Sequence, residues 1–445
     1  MGACRYGYDL LPLPGDGGGS DGGNGEALPA GGSVALGGAE AASGSTLVGD
    51  NAGNPAGGDT MSEAGSGGEG PDPCGDGTLE PGEECEPSLS AAEDRCRFDC
   101  TYEWYDRAFA KRRRVLFDNT ASTEALSDFV VPVVLTAGDV DYASIMPGGQ
   151  DLFFVADDDA TPLPYEIEAF NVGGSSLIWV RLPKVPAAGR AAFWLYYQRA
   201  NATSAADATQ TWSGDYAAVY HFNAGATDSV NGSSAAASGT AAAGGQLAGA
   251  LDFLGASASV DAGSPARVDD LFQGPGTITV WIRPRSWGEG SYGRIVDKAS
   301  NTLAAAGWAL ELDGVPTPGA TMIFEHGFSG VVGRWVGPND ALSLDGWSHI
   351  AVVYDGSDES HVPSFYINGA PVALNPMSTP SGMRASDASL QLGIGDQIAT
   401  QTRSFDGLID ELRLERANRS AAWIHAEYAS ALPGAVTLEA EQQHL

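Results

Sequence analysis

The stretch GTITVWIRPRSW, residues 276–287, places Ile278, Val280 and Ile282 at every second position. Successive side chains of a β-strand point to opposite faces of the sheet, so these three share one apolar face. The positions between them are mostly polar. The stretch therefore predicts a strand whose apolar face packs in a core.

The surrounding residues predict more short strands of the same kind. In FYINGAPV, residues 365–372, the pair Asn368-Gly369 separates two β runs. This pair is typical of a type I′ hairpin, because both turn residues must take positive φ. About ten such runs over 215–432 predict one large β-sandwich. The segment RSAAWIHAEYASAL, 419–432, predicts a helix with Ser420 as its N-cap.

The chain before this block divides by composition. Residues 104–200 contain six short apolar or alternating runs that predict an antiparallel β-sandwich, and 201–214 reads as a linker. Residues 15–70 contain no aromatic residue, Lys or Arg, which predicts a disordered Gly-rich tether because such a segment buries too little apolar surface to fold. The remaining segments are 1–14, the N-terminus, 71–103, a cysteine-rich module, and 433–445, a C-terminal tail.

The composition excludes some classes of partner. The formal net charge is −34 over 445 residues. Such a chain repels a phosphate backbone, so nucleic acid is not an expected partner. No run approaches the ~20 apolar residues that a membrane-spanning helix needs.

Four of the five cysteines, Cys74, Cys85, Cys96 and Cys100, lie within one short segment. This segment has too little apolar material for a core, so the spacing predicts stabilisation by disulfides. Three pairings are possible. A zinc site with four cysteine ligands is the alternative, but the segment offers at most one closely spaced cysteine pair, Cys96 and Cys100. Disulfides imply an oxidising compartment.

Three segments resemble known families. CGDGTLEPGEEC with DRCRFDC resembles the cysteine-rich repeat of myxobacterial and related surface proteins. Residues 104–200, with WYDRAFAKRRRVLFDN and SLIWVRLPKV, resemble a domain of unknown function that precedes LamG-type domains. Residues 215–432, with AVYHFN, GWSHIAVVYDG, LQLGIG and FDGLIDELRLERANRSAAWI, resemble a LamG-like jelly roll of the concanavalin A-like lectin/glucanase superfamily. The resemblance implies an all-β chain with a β-sandwich followed by this jelly roll, and a role in glycan or protein binding.

The sequence does not support an enzyme. Glucanases of this superfamily carry E-x-D-x-x-E on one strand, as nucleophile and general acid. The nearest match is Glu311 and Asp313 in ALELDGVP, where Pro316 stands in place of the third carboxylate. We therefore predict no catalytic residues, and a divergent polysaccharide hydrolase is the third alternative for function.

Calcium is the predicted cofactor. Many LamG-like domains bind Ca²⁺ at the rim of the sandwich through oxygen ligands. The first and last strands of such a jelly roll are neighbours, which predicts that Asp228, Asp410 and Asn223 come together as ligands. In the alternative interpretation Asp228 caps a turn before Asn231-Gly232, and Asp410 pairs with an arginine.

Aromatic residues in Gly-rich stretches are the predicted ligand-binding groups. Rings in exposed loops can stack on a sugar face. Five residues in RSWGEGSYG and HGFSGVVGRW form this set: Trp287, Tyr292, Phe328, Arg334 and Trp335. Core packing is the alternative for the tryptophans.

The remaining cysteine, Cys4, follows Met1-Gly2-Ala3, which resembles the end of a bacterial lipobox. Acyl chains on Cys4 would anchor the protein to a membrane. We therefore expect a secreted, outer-membrane lipoprotein at the cell surface, with extracellular or periplasmic location as the alternative. The expected function is non-catalytic binding of carbohydrate or a surface protein. The runner-up is a structural or assembly component of the cell envelope.

Overall fold

The computed structural model describes residues 74–89, 96–223, 225–300, 303, 305–315 and 321–444. Within these residues the regular secondary structure is mostly β-strand, with two short α-helices, as the sequence predicts for an all-β chain. Cys4 and the predicted tether 15–70 lie outside the described residues. No helix of the described part is long and apolar enough to cross a membrane.

The first sandwich is built mainly from six strands and a short helix. Their bounds are β1 (Phe109–Asp118), β2 (Leu126–Leu135), β3 (Phe153–Ala156), β4 (Tyr165–Ala169), β5 (Ser176–Val185), β6 (Arg190–Arg199) and α1 (Ala208–Thr211). Strands β1, β6 and β3 form sheet A, and β2, β5 and β4 form sheet B. Pro132 lies in β2 at the edge of sheet B, where the missing N–H of proline is tolerated. Apolar side chains of both sheets, such as Phe117 and Ile178, form one buried core.

The residues predicted as a tail return to this sandwich. Strands β23 (Val436–Leu438) and β24 (Gln442–Gln443) both pair antiparallel with β1 and extend sheet A. Similarly, the segment predicted as a linker contains α1, and the ring of Trp212 is fully buried. Local composition gave no indication of these contacts, because both segments depend on partners far away in the chain.

The jelly roll contains the remaining strands, β7 to β22, in two sheets. Their bounds are β7 (Tyr216–Tyr220), β8 (Ala236–Ser238), β9 (Thr240–Gly244), β10 (Gly249–Leu254), β11 (Ser259–Asp261), β12 (Pro275–Pro284), β13 (Arg294–Lys298), β14 (Trp308–Asp313), β15 (Thr321–His326), β16 (Gly333–Val336), β17 (Ser348–Asp355), β18 (Ser364–Ile367), β19 (Ala370–Val372), β20 (Asn375–Ser378), β21 (Gly393–Ile394) and β22 (Asp406–Glu415). Sheet C runs β19-β18-β17-β12-β22-β10-β9, with β7 also paired to β22. Sheet D runs β20-β16-β15-β14-β13-β21-β11-β8.

Most of the stretch GTITVWIRPRSW, residues 276–287, lies in β12, in the middle of sheet C. Ile278, Val280 and Ile282 are fully buried between the two sheets. The predicted hairpin is also present: Asn368 and Gly369 take φ of 50° and 73° between β18 and β19. Local sequence patterns therefore predict these elements correctly.

The second helix, α2 (Ala421–Ser430), joins the two sandwiches. Ser420 caps it, since its hydroxyl oxygen accepts a hydrogen bond of 3.1 Å from the Trp423 amide. Trp423 and Ile424 pack in the core of the first sandwich together with Val353 from β17. The outer face of sheet C is thus covered by α2 and the first sandwich, whose apolar core extends onto this face through Val353, while the jelly roll keeps a separate core between its two sheets.

The cysteine-rich module contains the two predicted disulfides. Cys74 bonds to Cys100, and Cys85 bonds to Cys96. Of the three possible pairings, the structure has the nested one.

Candidate functional site

A group of charged side chains lies on the outer face of sheet D. We call this group the charged face; it consists of Arg294, Asp297, Glu311, Glu325 and Arg334. The alternation of the strands explains its position. On β14 and β15, side chains such as Leu310 and Phe324 point into the core, so the residues between them point outward.

Cross-strand register brings these charges together. Arg294 lies opposite Glu311 in the ladder between β13 and β14. Its Nη1 lies 3.1 Å from a Glu311 carboxylate oxygen and 3.7 Å from a Glu325 carboxylate oxygen. Arg334 on β16 completes the row, with its Nη1 3.1 Å from the other Glu325 oxygen. Two arginines and two glutamates on four adjacent strands therefore form a continuous polar row.

Several polar atoms of the charged face are buried without a hydrogen-bond partner. Four of them nevertheless lie in ion pairs: Nε of Arg294 is 3.6 Å from Oδ2 of Asp297, and Nη1 of Arg294 is 3.1 Å from Oε2 of Glu311. Arg294 is 5% exposed and Glu311 is 1% exposed. Buried polar groups in folded proteins are nearly always paired, and among the described residues Oδ1 of Asp297 and Nε of Arg334 are the atoms of the charged face left without a partner.

The same burial changes the protonation of the carboxyl groups. Burial raises the pKa of Glu311 to about 7, although Arg294 opposes the change. Burial also raises the pKa of Asp297 well above its usual range, with Asp396 and Glu311 adding to the effect. Glu311 can therefore carry a proton near neutral pH and donate a hydrogen bond as well as accept one.

Two of the predicted ligand-binding aromatics lie beside the charged face. The loop that carries them is held at the end of β14, where the Gly314 amide donates to the Ser291 carbonyl at 2.9 Å. The half-buried ring of Trp287 lies so close to Gly314 that a Cβ there would be 2.5 Å from it. Tyr292 is half-buried, with the Arg403 guanidinium 5.0 Å from its ring centre.

The structure separates the other three residues of that set. Arg334 belongs to the charged face, as described above. Trp335 is 1% exposed and packs against Phe324 and Tyr354 in the jelly-roll core. Phe328 is 2% exposed and packs edge-on against His326. These positions correct the expectation for Trp335 and Phe328: the Gly-rich stretch is not an open loop there, because β16 turns the Trp335 ring toward the core.

The predicted calcium ligands have different surroundings. The Oδ1 of Asp228 accepts hydrogen bonds of 3.0 Å from the Val219 and Val230 amides, and its Oδ2 accepts one of 2.7 Å from the Asn231 amide group. Asp228 thus caps its own turn. Oδ2 of Asp410 accepts from the Leu247 amide at 3.0 Å, while its Oδ1 is buried without a partner.

Asn223, the third predicted ligand, donates to the Glu168 carbonyl at 3.2 Å. Within the described part of the chain, two clusters of at least three His, Cys, Asp or Glu side chains are close enough to hold a metal ion, and neither includes Asp228. Calcium at these three residues stays a prediction.

The sequence argument missed Arg294, Asp297 and Glu325. A signal exists in RIVDK and MIFEH, where charged residues occur among apolar ones in strand-like runs. The alternation alone, however, does not show that adjacent strands bring the charges into one row.

Comparison with known families agrees with this architecture. Residues 255–425 match the model Laminin_G_3, described as the concanavalin A-like lectin/glucanases superfamily. Residues 148–235 match DUF2341, a domain of unknown function. The chain therefore carries a LamG-like, concanavalin A-like domain, and a DUF2341 domain precedes it.

Solved structures with similarity include the binding domain of Paraclostridial Mosquitocidal Protein 1, at 14% identity and a TM-score of 0.37. That match covers 48% of this chain and 52% of the other, so the chain spans about half of the toxin's binding domain. Domain 4 of AbnA, a GH43 arabinanase from Geobacillus stearothermophilus solved with arabinotriose, is 16% identical, with a TM-score of 0.36 and coverage of 47% and 97%. The CBM40 of the Ruminococcus gnavus IT-sialidase, bound to α2,3-sialyllactose, is 13% identical, with a TM-score of 0.32 and coverage of 40% and 96%. No curated protein matches the chain in sequence.

Proposed function

We propose that the jelly roll is a non-catalytic binding domain that holds a carbohydrate against the charged face. The observation that carries the proposal is the row of two arginines and two glutamates on the charged face, where Oδ1 of Asp297 and Nε of Arg334 have no partner in the described part of the chain. A buried donor or acceptor left unpaired costs about 1–3 kcal/mol. A ligand that supplies the missing partners recovers this energy on binding.

The chemistry of the site matches sugar hydroxyls. A hydroxyl group both donates and accepts hydrogen bonds. The guanidinium groups of Arg294 and Arg334 donate, and the carboxylates of Glu311 and Glu325 accept. A row that alternates donors and acceptors suits a chain of hydroxyl groups better than it suits an apolar ligand.

The neighbouring rings supply the apolar part of such a contact. Trp287 and Tyr292 are both half-buried, and their loop contacts the end of β14, the strand that carries Glu311. Aromatic rings pack against the C–H faces of sugars while polar groups hold the hydroxyls.

The cellular location belongs to the same proposal. The disulfides Cys74–Cys100 and Cys85–Cys96 support an oxidising compartment outside the cytoplasm. We propose that the protein is displayed at the cell surface as an outer-membrane lipoprotein, with acylated Cys4 as its lipid anchor.

The binding test uses the full chain on a glycan array, followed by titration calorimetry with the glycans that bind. Arg334→Met removes a donor from the charged face, and we expect affinity to fall about tenfold or more, since hydrogen bonds to charged groups contribute about 1.5–3 kcal/mol. Arg190→Met is the matched control, because Arg190 pairs with Asp118 at 3.2 Å in the first sandwich, far from sheet D in the fold.

Trp287→Ala tests the aromatic contribution, with Phe98→Ala as its control, since Phe98 is 97% exposed in the cysteine-rich module. A folded chain that binds no glycan, or that binds equally well after Arg334→Met and Trp287→Ala, contradicts the proposal. In that case a structural role in the envelope becomes the leading function. Turnover of a polysaccharide panel would instead support the hydrolase alternative.

A further inference from the structure

A second group of buried charged side chains lies where the two sandwiches meet. We call it the interface cluster, and it consists of Glu166, Glu168, His221, Asp410 and Glu411. The first two are on β4 of the first sandwich, His221 follows β7, and the last two are on β22. The side chains of Glu168, His221 and Glu411 are only 3%, 7% and 2% exposed.

Three side chains of this cluster converge on one point. Nδ1 of His221 lies 2.8 Å from Oε1 of Glu411 and 3.6 Å from Oε2 of Glu168. One ligand atom from each of the three residues lies within 4.8 Å of the others. Metal–ligand bonds of about 2.0–2.2 Å place neighbouring ligand atoms roughly 3–3.5 Å apart. The two measured distances lie just below and just above this range, and the 2.8 Å distance is also that of a hydrogen bond between His221 and Glu411, which a bound ion would replace.

The other nitrogen of His221 is held in the way that metal-binding histidines require. Its Nε2 lies 3.2 Å from Oε2 of Glu166. Glu166 is itself fixed by the Ser229 hydroxyl, which donates at 2.8 Å, and by the Trp212 indole N–H. A carboxylate that accepts from Nε2–H leaves Nδ1 available to a metal ion once the hydrogen bond between Nδ1 and Glu411 is replaced.

Each carboxylate of the cluster is anchored by a fixed donor. The Trp179 indole N–H donates to Oε2 of Glu168 at 2.8 Å, and Arg413 donates to Oε2 of Glu411 at 3.0 Å. Within the part of the chain that the structure describes, Oε1 of Glu168 and Oδ1 of Asp410 are buried without hydrogen-bond partners. Anchored carboxylates with a free oxygen are pre-oriented for a cation.

A β-bulge explains how consecutive residues of β22 both reach this place. Asp410 lies opposite Trp281, but Arg413 lies opposite Thr279, so β22 has an extra residue here. Glu411 takes φ of 50° at this bulge. Bulges re-aim side chains in this way.

Carboxyl groups outnumber basic groups in the cluster. His221 contacts the carboxyl groups of Glu166, Glu168 and Glu411. Among the described residues, the guanidinium paired with the cluster is that of Arg413, on Glu411. Arg413 is also shared with Glu427, at 3.1 Å. Buried carboxylates are stable only when they are paired, protonated or bound to a metal.

We propose that His221, Glu168 and Glu411 bind a divalent transition-metal ion such as Zn²⁺ or Mn²⁺ between the two sandwiches. The imidazole nitrogen favours these ions over Ca²⁺, which prefers oxygen ligands alone. This site is independent of the carbohydrate proposal, because it lies against sheet B and not on sheet D. The other cluster of suitable residues, Cys74, Glu83 and Cys100, does not compete, because both sulfurs are in a disulfide.

The test begins with the full chain, stripped with chelator and titrated separately with Zn²⁺, Mn²⁺ and Ca²⁺. We expect one equivalent of Zn²⁺ or Mn²⁺ to bind and to raise Tm, since a ligand that binds only the native state stabilises it. Glu168→Gln keeps the acceptor for Trp179 and should weaken metal affinity more than about 100-fold. Glu166→Gln, behind His221, should weaken it about 10–100-fold.

The matched controls are His349→Gln and Glu427→Gln, which alter a buried histidine and a buried glutamate of the same interface that are 3.7 Å apart. Both should retain the metal. Pulsed electron paramagnetic resonance of the Mn²⁺-loaded wild type should show coupling to an imidazole nitrogen and needs no variant. The proposal is overturned if the folded chain takes up neither Zn²⁺ nor Mn²⁺, if it prefers Ca²⁺, or if folded Glu168→Gln and Glu166→Gln bind as the wild type does.

Discussion

The outer faces of the two jelly-roll sheets have opposite surroundings. On sheet C, Thr279 donates to Glu427 of α2 at 2.6 Å, and Arg413 donates to the same carboxylate at 3.1 Å. On sheet D, Oδ1 of Asp297 and Nε of Arg334 are buried without partners in the described part of the chain. One fold therefore uses one outer face to join domains and leaves the other with unfilled hydrogen-bonding groups, which is where we place the ligand.

The largest effect is expected at Arg413, on the covered face. Its guanidinium pairs with Glu411 and Glu427 and lies 4.6 Å from the centre of the Trp179 ring. Arg413→Met removes the guanidinium from two buried carboxylates, although these keep His221 and Thr279 as hydrogen-bond partners, so the free energy of unfolding should fall by about 3–5 kcal/mol. Urea denaturation measures it. Arg190→Met, at an exposed ion pair, should change the free energy of unfolding by less than about 1 kcal/mol. A similar loss in both variants would show that the covered face of sheet C is no more sensitive than an exposed ion pair.

The next effect concerns pH and the charged face. Because burial raises the pKa of Glu311 from 4.5 to about 7, the folded chain holds this proton more tightly than the unfolded chain. Stability from this group is therefore present below about pH 4.5 and is lost as pH rises through about 7. Relative to Glu311→Gln, the wild type should lose about 3 kcal/mol between pH 4 and pH 8.

Denaturation of both proteins at the two pH values measures this difference. Glu359→Gln, at an exposed glutamate, is the control. Parallel pH profiles for the wild type and Glu311→Gln would show that the Glu311 carboxyl is hydrated or paired, and would weaken the contrast between the two faces.

A smaller effect is expected at the turn beneath α2. Gly369 has φ of 73°, and a Cβ there would lie 2.9 Å from the Tyr428 ring. Gly369→Ala should cost about 2 kcal/mol, from backbone strain plus displacement of the helix. Gly232→Ala isolates the strain, since Gly232 has φ of 74° and nothing within 4 Å of its added Cβ. Equal Tm changes in the two variants would mean that α2 does not press on the hairpin.

The smallest effect is expected at the N-cap of α2. Besides capping, the Ser420 hydroxyl donates to Glu124 of the first sandwich at 2.7 Å. Ser420→Ala should cost about 1 kcal/mol, whereas Ser420→Thr, which keeps the oxygen, should cost less. Thermal melts compare them; an Ala variant as stable as the wild type would show that this contact contributes nothing to covering sheet C.

These contrasts also show how far the sequence could predict the site. Trp287, Tyr292 and Arg334 were predicted as binding residues because Gly-rich stretches are typical of exposed loops. The structure places these three residues at or beside the charged face. The prediction that Trp335 binds a ligand was wrong, because the sequence of a single strand does not reveal which of its faces the second sheet covers. Asp410 was singled out for a metal, but its expected partner Asp228 caps a turn instead, and Glu168 comes from the other domain.

By itself the sequence determined the strands, the Asn368-Gly369 hairpin, the cap of α2 and the class of the second domain. Each of these depends on residues a few positions apart, whose alternation, turn geometry and capping act within one segment. Only the tertiary structure decided that Arg294 meets Glu311 and that Glu168 meets His221 and Glu411. Those contacts depend on sheet register and on the packing of two domains, and no local pattern specifies which distant strands pack together.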